Sequence, residues 1–378
     1  MQFTVKTQAE IEPLLAEELR SLGLRNIEPG NRLVHCEGEL EHLYRINYES
    51  RLALKVLVPI VEFTIQDAKD LYTQAMEYNW NQWLQPKQTF VIRFSIFSSF
   101  FSNSLYGAQL FKDAVVDTIR KKTGKRPNVD LKNPDIVFDL YINGNKCVIS
   151  ADSSGEPLFK RNYKTKSFRA PINEILAAAM IQLTGWDKKQ TLINPMCGSG
   201  TLLFEALFYA ENRPSQFYRK RWAFQHWDNY DKELLEQVRE RADAQIVDPV
   251  ARIIGIDNNA ITVKILRRTL RELELDHKVS TQMTDFFQWE HKAEDAILIL
   301  NPPYDERMKV ENVREFYKSI GDHLKQSFQG NTAWIITANK EAMKAIGLKT
   351  SAKKILFNGP LECRFLKFEL FSGSLKDK

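Results

Sequence analysis

The chain of 378 residues carries a formal net charge of +5, and 43% of its residues are hydrophobic and 27% charged. Its length predicts two or three domains, and its composition excludes a disordered chain. The sequence lacks an apolar run of about 18 residues, which a transmembrane helix needs, and the N-terminus lacks the basic start and apolar centre of a signal peptide. We therefore expect a cytoplasmic protein with no membrane partner. The net charge alone identifies no polyanionic partner.

The cysteines give no sign of a metal or disulfide framework. Cys36, Cys147, Cys197 and Cys363 lie far apart, with no CxxC pair and no histidine at ligand spacing. This pattern predicts reduced thiols and no bound metal.

The first part of the chain predicts a small α+β unit. Strands and helices alternate in the order βαββαβ, typical of a ferredoxin-like fold, with predicted bounds 3–7, 8–22, 26–29, 32–37, 39–46 and 55–64. A second segment has predicted elements at 68–77, 89–97, 104–123, 136–142 and 146–152. Gly124 and Pro127 mark the end of its long helix, and Asn143-Gly144 predicts a hairpin between its last two strands.

From about residue 160 strands and helices alternate, which predicts a doubly wound, mainly parallel α/β sheet. The predicted helices lie at 171–183, 201–209, 260–273 and 313–328, and the predicted strands at 190–194, 252–256, 295–300 and 332–338. Strands at 353–357 and 363–370 form a closing hairpin, which inserts one antiparallel strand into the sheet.

A strand, a glycine turn and a helix start follow one another at 192–201. Gly198 and Gly200 let the backbone approach a ligand, which the free N–H groups of the helix start then face. Leu203 stands where the third glycine of a dinucleotide fingerprint belongs, which disfavours an NAD enzyme. Such a turn also serves purely structural roles. The candidate cofactor contacts are Asn194, Pro195, Met196, Cys197, Gly198, Ser199, Gly200 and Thr201.

Two acidic residues follow predicted strands of the same sheet. Asp257 can accept hydrogen bonds from both ribose hydroxyls of a nucleoside, although Asp257 or Asn258 can equally cap the next helix. Asp285 can bind an adenine amine while Phe286 stacks on the ring, although Asp285 alone is also typical of a turn. All four residues are candidate cofactor contacts, as is Asn301 further along the chain.

The tetrapeptide Asn301-Pro302-Pro303-Tyr304 follows the fourth strand, at the carboxyl end where ligands bind in open α/β sheets. The prolines stiffen the loop, so the Asn301 oxygen and a proline carbonyl can both accept from one exocyclic NH₂. Such an amine is a poor nucleophile because its lone pair is delocalised, and two acceptors can direct that lone pair at a sulfonium methyl. Tyr304 offers a stacking face for a base taken out of its helix. The alternative is a proline-stiffened turn with an asparagine N-cap.

Cys197 is a further candidate because methylation at a ring carbon requires a covalent nucleophile. It lies inside the glycine turn, toward the cofactor rather than the substrate. The tetrapeptide also indicates direct transfer. We therefore expect Cys197 to be a small packing residue.

Three segments, 119–126, 160–169 and 213–222, are basic. Lysine and arginine on phosphates, with aromatic rings under bases, are the usual means of holding RNA. Solvated surface is the alternative interpretation. The candidate RNA contacts are Arg120, Lys121, Lys122, Lys125, Arg126, Lys160, Arg161, Lys164, Lys166 and Arg169.

Together these motifs resemble the THUMP-domain class I RNA methyltransferases, similar to the bacterial 23S rRNA guanine-N2 methyltransferases. The resemblance covers essentially the whole chain. It rests further on Lys160-Arg161-Asn162-Tyr163 with Ala170-Pro171-Ile172-Asn173-Glu174, and on Asn358-Gly359-Pro360-Leu361-Glu362-Cys363-Arg364. Three residues depart from the family pattern: Asn194 stands where many members have aspartate, Asp305 where glycine is common, and Asn162 where a glycine is expected.

The resemblance implies a ferredoxin-like domain at 1–64, a THUMP RNA-binding domain at 65–155 and a Rossmann-like methyltransferase domain with a seven-stranded mixed sheet at 156–378. It implies S-adenosylmethionine as cofactor and RNA, in particular 23S rRNA, as partner, with the target base at 301–304. Guanine N2 as the acceptor rests on the resemblance alone. An adenine-N6 methylase of DNA or RNA uses the same tetrapeptide, and a non-enzymatic RNA-binding assembly factor is a third hypothesis.

Overall fold

The structure is a computed structural model that describes residues 1–163, 172–290, 294–303 and 310–371. Its residues form two compact units. The first unit comprises 1–7, 15–158 and 219–240, and the second comprises 8–14 with the described residues of 159–218 and 241–378. Each unit contains its own sheet.

The first unit is built on one eight-stranded sheet with the strand order β2-β3-β1-β4-β8-β7-β5-β6. Its strands are β1 (Gln2–Lys6), β2 (Arg25–Gly30), β3 (Leu33–Glu37), β4 (Lys55–Thr64), β5 (Thr89–Phe97), β6 (Asn128–Val129), β7 (Ile136–Asn143) and β8 (Lys146–Asp152). The helices of this half of the chain are α1 (Glu12–Ser21), α2 (Leu40–Glu49), α3 (Ala68–Glu77) and α4 (Ser104–Thr123).

Strand β4 joins the two predicted N-terminal modules within that sheet. On one side it pairs with β1, and on the other it pairs with β8 from Leu57↔Asp152 to Thr64↔Lys146. Side chains alternate between the faces of a strand, and the central strands share a buried face that includes Val5 of β1, Val56 of β4, Ala151 of β8 and Phe138 of β7. The modules therefore share one sheet.

Residues 219–240 pack in the first unit, although the sequence prediction assigns them to the methyltransferase domain. The Arg219 guanidinium donates hydrogen bonds to the carbonyl oxygens of Ser154 (2.7 Å) and Glu156 (2.9 Å). The ring of Phe224 lies against Tyr44, with centroids 4.7 Å apart. Through these contacts the segment contributes buried side chains to the first unit.

The second unit has a seven-stranded sheet with the order β11-β10-β9-β12-β13-β15-β14, in which only β15 runs antiparallel to its neighbours. Its strands are β9 (Leu192–Pro195), β10 (Ile253–Asp257), β11 (Val279–Met283), β12 (Ile297–Leu300), β13 (Thr332–Thr337), β14 (Thr350–Asn358) and β15 (Leu361–Glu369). Its helices are α5 (Glu174–Leu183), α6 (Thr201–Ala210), α7 (Lys232–Asp243), α8 (Ala260–Glu272), α9 (Val310–Ser327) and α10 (Lys340–Ala345), of which α7 begins in residues of the first unit. The predicted α/β sheet with its closing hairpin is confirmed.

The central strands of this sheet are short and apolar. Every residue of β9 and of β12 is buried, as expected for parallel strands covered on both faces. Within the described ranges, no helix has the length and apolar character needed to cross a membrane.

Candidate active site

Four neighbouring parallel strands end at one edge of the second sheet. The order β11-β10-β9-β12 places their carboxyl ends side by side, since Asp257 pairs with Met283 and Gly255 with Asn194 in parallel register. Asp285 follows β11, and Asn301 follows β12. The fold therefore brings the four predicted motifs together at the edge where open α/β sheets bind ligands.

The glycine turn has the backbone that its sequence predicts. Gly200 is the N-cap of α6 with φ +81°, and a Cβ at this position would lie 2.5 Å from Leu266 Cδ1. The Gly200 N–H donates to the Cys197 carbonyl at 2.9 Å, which closes the turn. Gly198 and Met196 also have positive φ, at +55° and +56°. Pro195, Ser199 and Thr201 are buried around this turn.

Asp257 ties the turn to β10. Its Oδ2 accepts from the Gly198 N–H at 2.8 Å, and its Oδ1 accepts from the Asn259 N–H at 2.9 Å and the Thr262 hydroxyl at 3.0 Å. A carboxylate has about four acceptor positions, so about one is left for a ribose hydroxyl. The N-cap of α8 is Asn259, so neither Asp257 nor the exposed Asn258 caps that helix.

Asp285 and Phe286 differ in how much of each side chain remains available to a ligand. Asp285 is half-buried, and its Oδ1 accepts from the Phe287 N–H at 3.0 Å, so acceptor positions remain for an amine. Phe286 is 3% exposed and lies in the core, stacked on Phe328 with centroids 5.8 Å apart. Its ring has little surface left for an adenine to stack on.

Two side-chain amide oxygens at this edge are buried and accept no hydrogen bond from the residues that the structure describes: Oδ1 of Asn194 and Oδ1 of Asn301. The amide nitrogen of Asn194 is engaged, because it donates to the carbonyls of Ile299 (2.7 Å) and Pro195 (3.3 Å). A buried acceptor without a donor is costly in a folded protein. Both oxygens are therefore candidate acceptors for a ligand.

The remaining tetrapeptide residues are only partly described. Pro302 is buried and Pro303 is exposed, while Tyr304 lies outside the described residues. The loop thus leaves the sheet through a buried proline, which fixes the backbone next to Asn301.

Cys197 is 9% exposed, and its Sγ faces Gly255, because a Cβ at Gly255 would lie 3.3 Å from it. Burial, and then the negative charge of Asp257, raise the pKa of the Cys197 thiol. The thiolate is the nucleophilic form of cysteine, so this environment favours the packing role over a covalent one.

Gly255 belongs to the site although the sequence prediction did not include it. A Cβ there would lie 2.3 Å from Leu203 Cδ1 of α6, so only glycine lets β10 lie this close to the helix. Met283 and Ile261, 57% and 55% exposed, add apolar surface at the end of β11 and the start of α8. The sequence did contain a signal for Gly255, because a lone glycine in an apolar strand often marks a close approach of the backbone to another element.

The predicted RNA-binding cations of the first unit lie at the end of α4. Arg120, Lys121, Lys122, Lys125 and Arg126 are all exposed. Arg120, Lys121 and Lys122 fall in the last helical turn before the left-handed Gly124. They present a compact basic surface.

The second basic segment, 160–169, does not present its cations on one exposed surface. Arg161 is 2% exposed and forms an ion pair with Glu205 of α6 (Nε to Oε1, 3.5 Å), so the prediction that it contacts RNA is corrected by its burial. The Tyr163 hydroxyl donates to the same Oε1 at 3.1 Å. Lys160 is exposed, whereas Lys164, Lys166 and Arg169 lie outside the described residues.

The third basic segment is partly committed to internal contacts. Arg213 pairs with Glu211 at 2.8 Å and lies over the ring of Phe217, 4.7 Å from its centroid. Arg219 is buried against backbone carbonyls, as described above. No cluster of three His, Cys, Asp or Glu side chains suited to a metal occurs among the described residues.

Three family models match the chain in succession. Residues 2–57 match a ferredoxin-like domain described as RlmL, residues 66–152 match the THUMP domain, and residues 161–367 match the RMKL-like methyltransferase domain. The chain belongs to the family of RMKL-like methyltransferases with a THUMP domain, and the resemblance found in its sequence is confirmed. It is a methyltransferase by family and by fold.

Named relatives agree with this family. The chain is 35% identical to the Synechocystis protein named "Putative RNA methyltransferase slr0064", over 96% of this chain and 94% of that protein. It is 33% identical to ribosomal RNA large subunit methyltransferase K/L of Syntrophotalea carbinolica over 98% of this chain, but it spans only 54% of that protein. The crystal structure of SMU.472 complexed with SAH superposes with a TM-score of 0.89 at 26% identity, covering 99% of both chains.

Proposed function

We propose that this chain is an S-adenosylmethionine-dependent RNA methyltransferase that methylates an exocyclic base amine, N2 of a guanine in 23S rRNA. The observation that carries the proposal is the buried Oδ1 of Asn301 at the carboxyl end of β12, beside the glycine turn. An acceptor in this place has no protein donor among the described residues, and a base amine supplies one.

The chemistry follows from that acceptor. An exocyclic amine is conjugated with its ring, so its lone pair is delocalised and its nitrogen is a weak nucleophile. Asn301 Oδ1 accepts one amine hydrogen and holds the nitrogen in a single orientation, and it stabilises the positive charge that develops on nitrogen as the new bond forms. Pro302 keeps the acceptor in place because its buried ring restricts the loop.

The cofactor fits the rest of the edge. Bound S-adenosylmethionine supplies a methyl group on a sulfonium, which needs no covalent enzyme intermediate. The turn at 194–200 lets the backbone approach the methionine part, with Asn194 Oδ1 as an acceptor for its ammonium group. Asp257 and Asp285 supply the acceptors for ribose and adenine. SMU.472, which shares the fold over its whole length, is complexed with SAH.

RNA is favoured over DNA by the first unit. A THUMP domain occupies residues 66–152, and the basic end of α4 offers five exposed cations there. Two relatives that align with 98% and 99% of this chain, which spans 54% of each of them, carry the name ribosomal RNA large subunit methyltransferase K/L. Cations in a compact group bind the phosphates of a structured RNA and release its counterions.

The test is methyl transfer from labelled S-adenosylmethionine to purified rRNA and, in parallel, to duplex DNA, followed by nucleoside analysis by mass spectrometry. N2-methylguanosine in 23S rRNA supports the proposal. N6-methyladenine as the sole product overturns the choice of guanine, and methylation of DNA alone overturns the choice of RNA. A chain that binds no S-adenosylmethionine by calorimetry is instead an RNA-binding assembly factor.

A further inference from the structure

Asn194 links the two strands whose ends carry the site. Its side chain is 1% exposed, and its Nδ2 donates to the Ile299 carbonyl of β12 at 2.7 Å. The strands β9 and β12 are parallel neighbours, in register from Leu192↔Ile297. Ile299 precedes Asn301 by two residues. This bond therefore joins β9, which leads into the glycine turn, to β12, which positions Asn301 Oδ1.

The geometry identifies which amide atom donates. Carbonyl oxygens lie 2.7 and 3.3 Å from Nδ2, those of Ile299 and Pro195, and a carbonyl can only accept. The other amide atom, Oδ1, accepts no hydrogen bond from any residue that the structure describes. A carboxylate in the same place has two acceptors and no donor, so it cannot make either bond.

We propose that Asn194 is a positioning residue, whose amide N–H holds the loop at 301–303 in place relative to the glycine turn. Position 194 in this chain therefore requires a hydrogen-bond donor. The inference rests on the proposed function, because the loop positions the amine acceptor. Misplacement of a reacting group by about 1 Å can cost about a hundredfold in rate.

The variant Asn194→Asp tests the need for a donor. At about pH 8 an ionised carboxyl places a negative charge against two carbonyl oxygens, and we expect kcat to fall about tenfold or more relative to wild type. As the pH is lowered, the carboxyl gains a proton that it can donate to Ile299, so the ratio of variant to wild-type kcat rises toward one. A ratio that stays near one at about pH 8, or that is equally low at every pH, overturns the proposal.

Two further variants separate positioning from a general loss of stability. Asn194→Ala has no donor at any pH, so its kcat ratio is low and flat. Asn331→Asp is the matched control, because Asn331 is also buried and its Nδ2 donates to two carbonyls, those of Phe328 and Gln329, both at 3.1 Å. Asn331 precedes β13, at the amino ends of the parallel strands, where its Oδ1 also accepts from the Ala296 N–H at 2.7 Å. The site lies at the carboxyl ends, so Asn331→Asp lowers the melting temperature without a pH-dependent kcat ratio. A pH-dependent ratio for Asn331→Asp contradicts the assignment.

A second measurement does not depend on methyl transfer. Hydrogen exchange of the peptide that covers 296–303, with SAH added, reports the order of the loop directly. We expect Asn194→Asp to exchange faster than wild type at about pH 8, with the difference shrinking at lower pH. Unchanged exchange in Asn194→Asp overturns the positioning role. An inactive wild type with this exchange pattern refutes the proposed function and leaves the role of Asn194 standing.

Discussion

The backbone N–H of Gly198 donates to Oδ2 of Asp257 at 2.8 Å, so the glycine turn is held by a carboxylate of the neighbouring strand. The same carboxylate accepts from Asn259 and Thr262 at the start of α8. Asp257 is therefore both a candidate ribose ligand and the residue that orders the loops around the cofactor. Loss of its charge affects both roles at once.

Asp257→Ala should weaken SAH binding about tenfold or more, because a charge-assisted hydrogen bond contributes about 1.5–3 kcal/mol and the Gly198 N–H loses its acceptor. Isothermal calorimetry measures the change. Asp187→Ala is the control, since Asp187 also accepts two backbone N–H bonds, from Lys189 and Gln190, but in an exposed turn. Equal loss of affinity in both variants would contradict a specific role for Asp257.

Asn301→Ala should reduce kcat for methyl transfer by about a hundredfold or more, because one acceptor of the transition-state charge is removed. Cofactor affinity should change little, as the acceptor serves the base amine. Single-turnover kinetics on rRNA and SAH calorimetry measure the two quantities separately. A parallel loss of SAH affinity would show that Asn301 binds the cofactor instead.

Gly255→Ala should lower the free energy of unfolding by about 1–3 kcal/mol and weaken SAH binding, because its Cβ meets Leu203 Cδ1 at 2.3 Å. Leu203→Ala in the same chain removes the clashing atoms. The double variant should therefore lose less stability than the sum of the two single variants, which urea denaturation can measure. Strict additivity would mean that the clash is relieved elsewhere.

Cys197→Ala should keep most of the methyl-transfer activity, because the thiol packs against Gly255 rather than attacking a base. The raised pKa of Cys197 keeps the folded thiol protonated, so iodoacetamide should modify it slowly until the chain unfolds. The unfolded thiol ionises near pH 8.5, so this group's contribution to stability is present below that pH and declines above it. Loss of activity in Cys197→Ala with intact folding would restore the nucleophile hypothesis.

Replacement of Lys121, Lys122 and Lys125 by alanine should weaken RNA binding and reduce the slope of log K against log salt by about 0.7–0.9 for each phosphate that these lysines neutralise. Binding titrations over a salt series measure that slope. Lys232→Ala is the control, since Lys232 is an exposed lysine of the same unit that pairs with Glu236 in the adjacent turn. An unchanged slope in the triple variant would remove this surface from the RNA interface.

The sequence predicted those parts of the site that are local in the chain. The turn at 198–200 and the tetrapeptide at 301–304 follow apolar strands, so a short window contains both the element and its chemistry. Strand β11, Val279–Met283, was not predicted because its sequence Val-Ser-Thr-Gln-Met has no apolar alternation. It is an edge strand, for which burial imposes little pattern.

Other features depend on partners distant in the chain. Arg161 reads as one cation in a basic run, and only the fold places Glu205 beside it. Likewise, the bond from Asn194 to Ile299 crosses 105 residues. Phe286 was expected at a ligand because it directly follows Asp285 in the sequence, whereas packing against Phe328 decides its burial. Tertiary contacts of this kind leave no local signal.

The return of residues 219–240 to the first unit affects how the chain matures during synthesis. A chain leaves the ribosome from its N-terminus, and domains tend to fold as they emerge. Here the sheet of the first unit is complete at residue 152, but the rings of Trp222 and Phe224 that cover Tyr48 and Tyr44 emerge some 70 residues later. The nascent N-terminal half must therefore wait, with part of its apolar surface uncovered, until the first strand of the second unit has already been made.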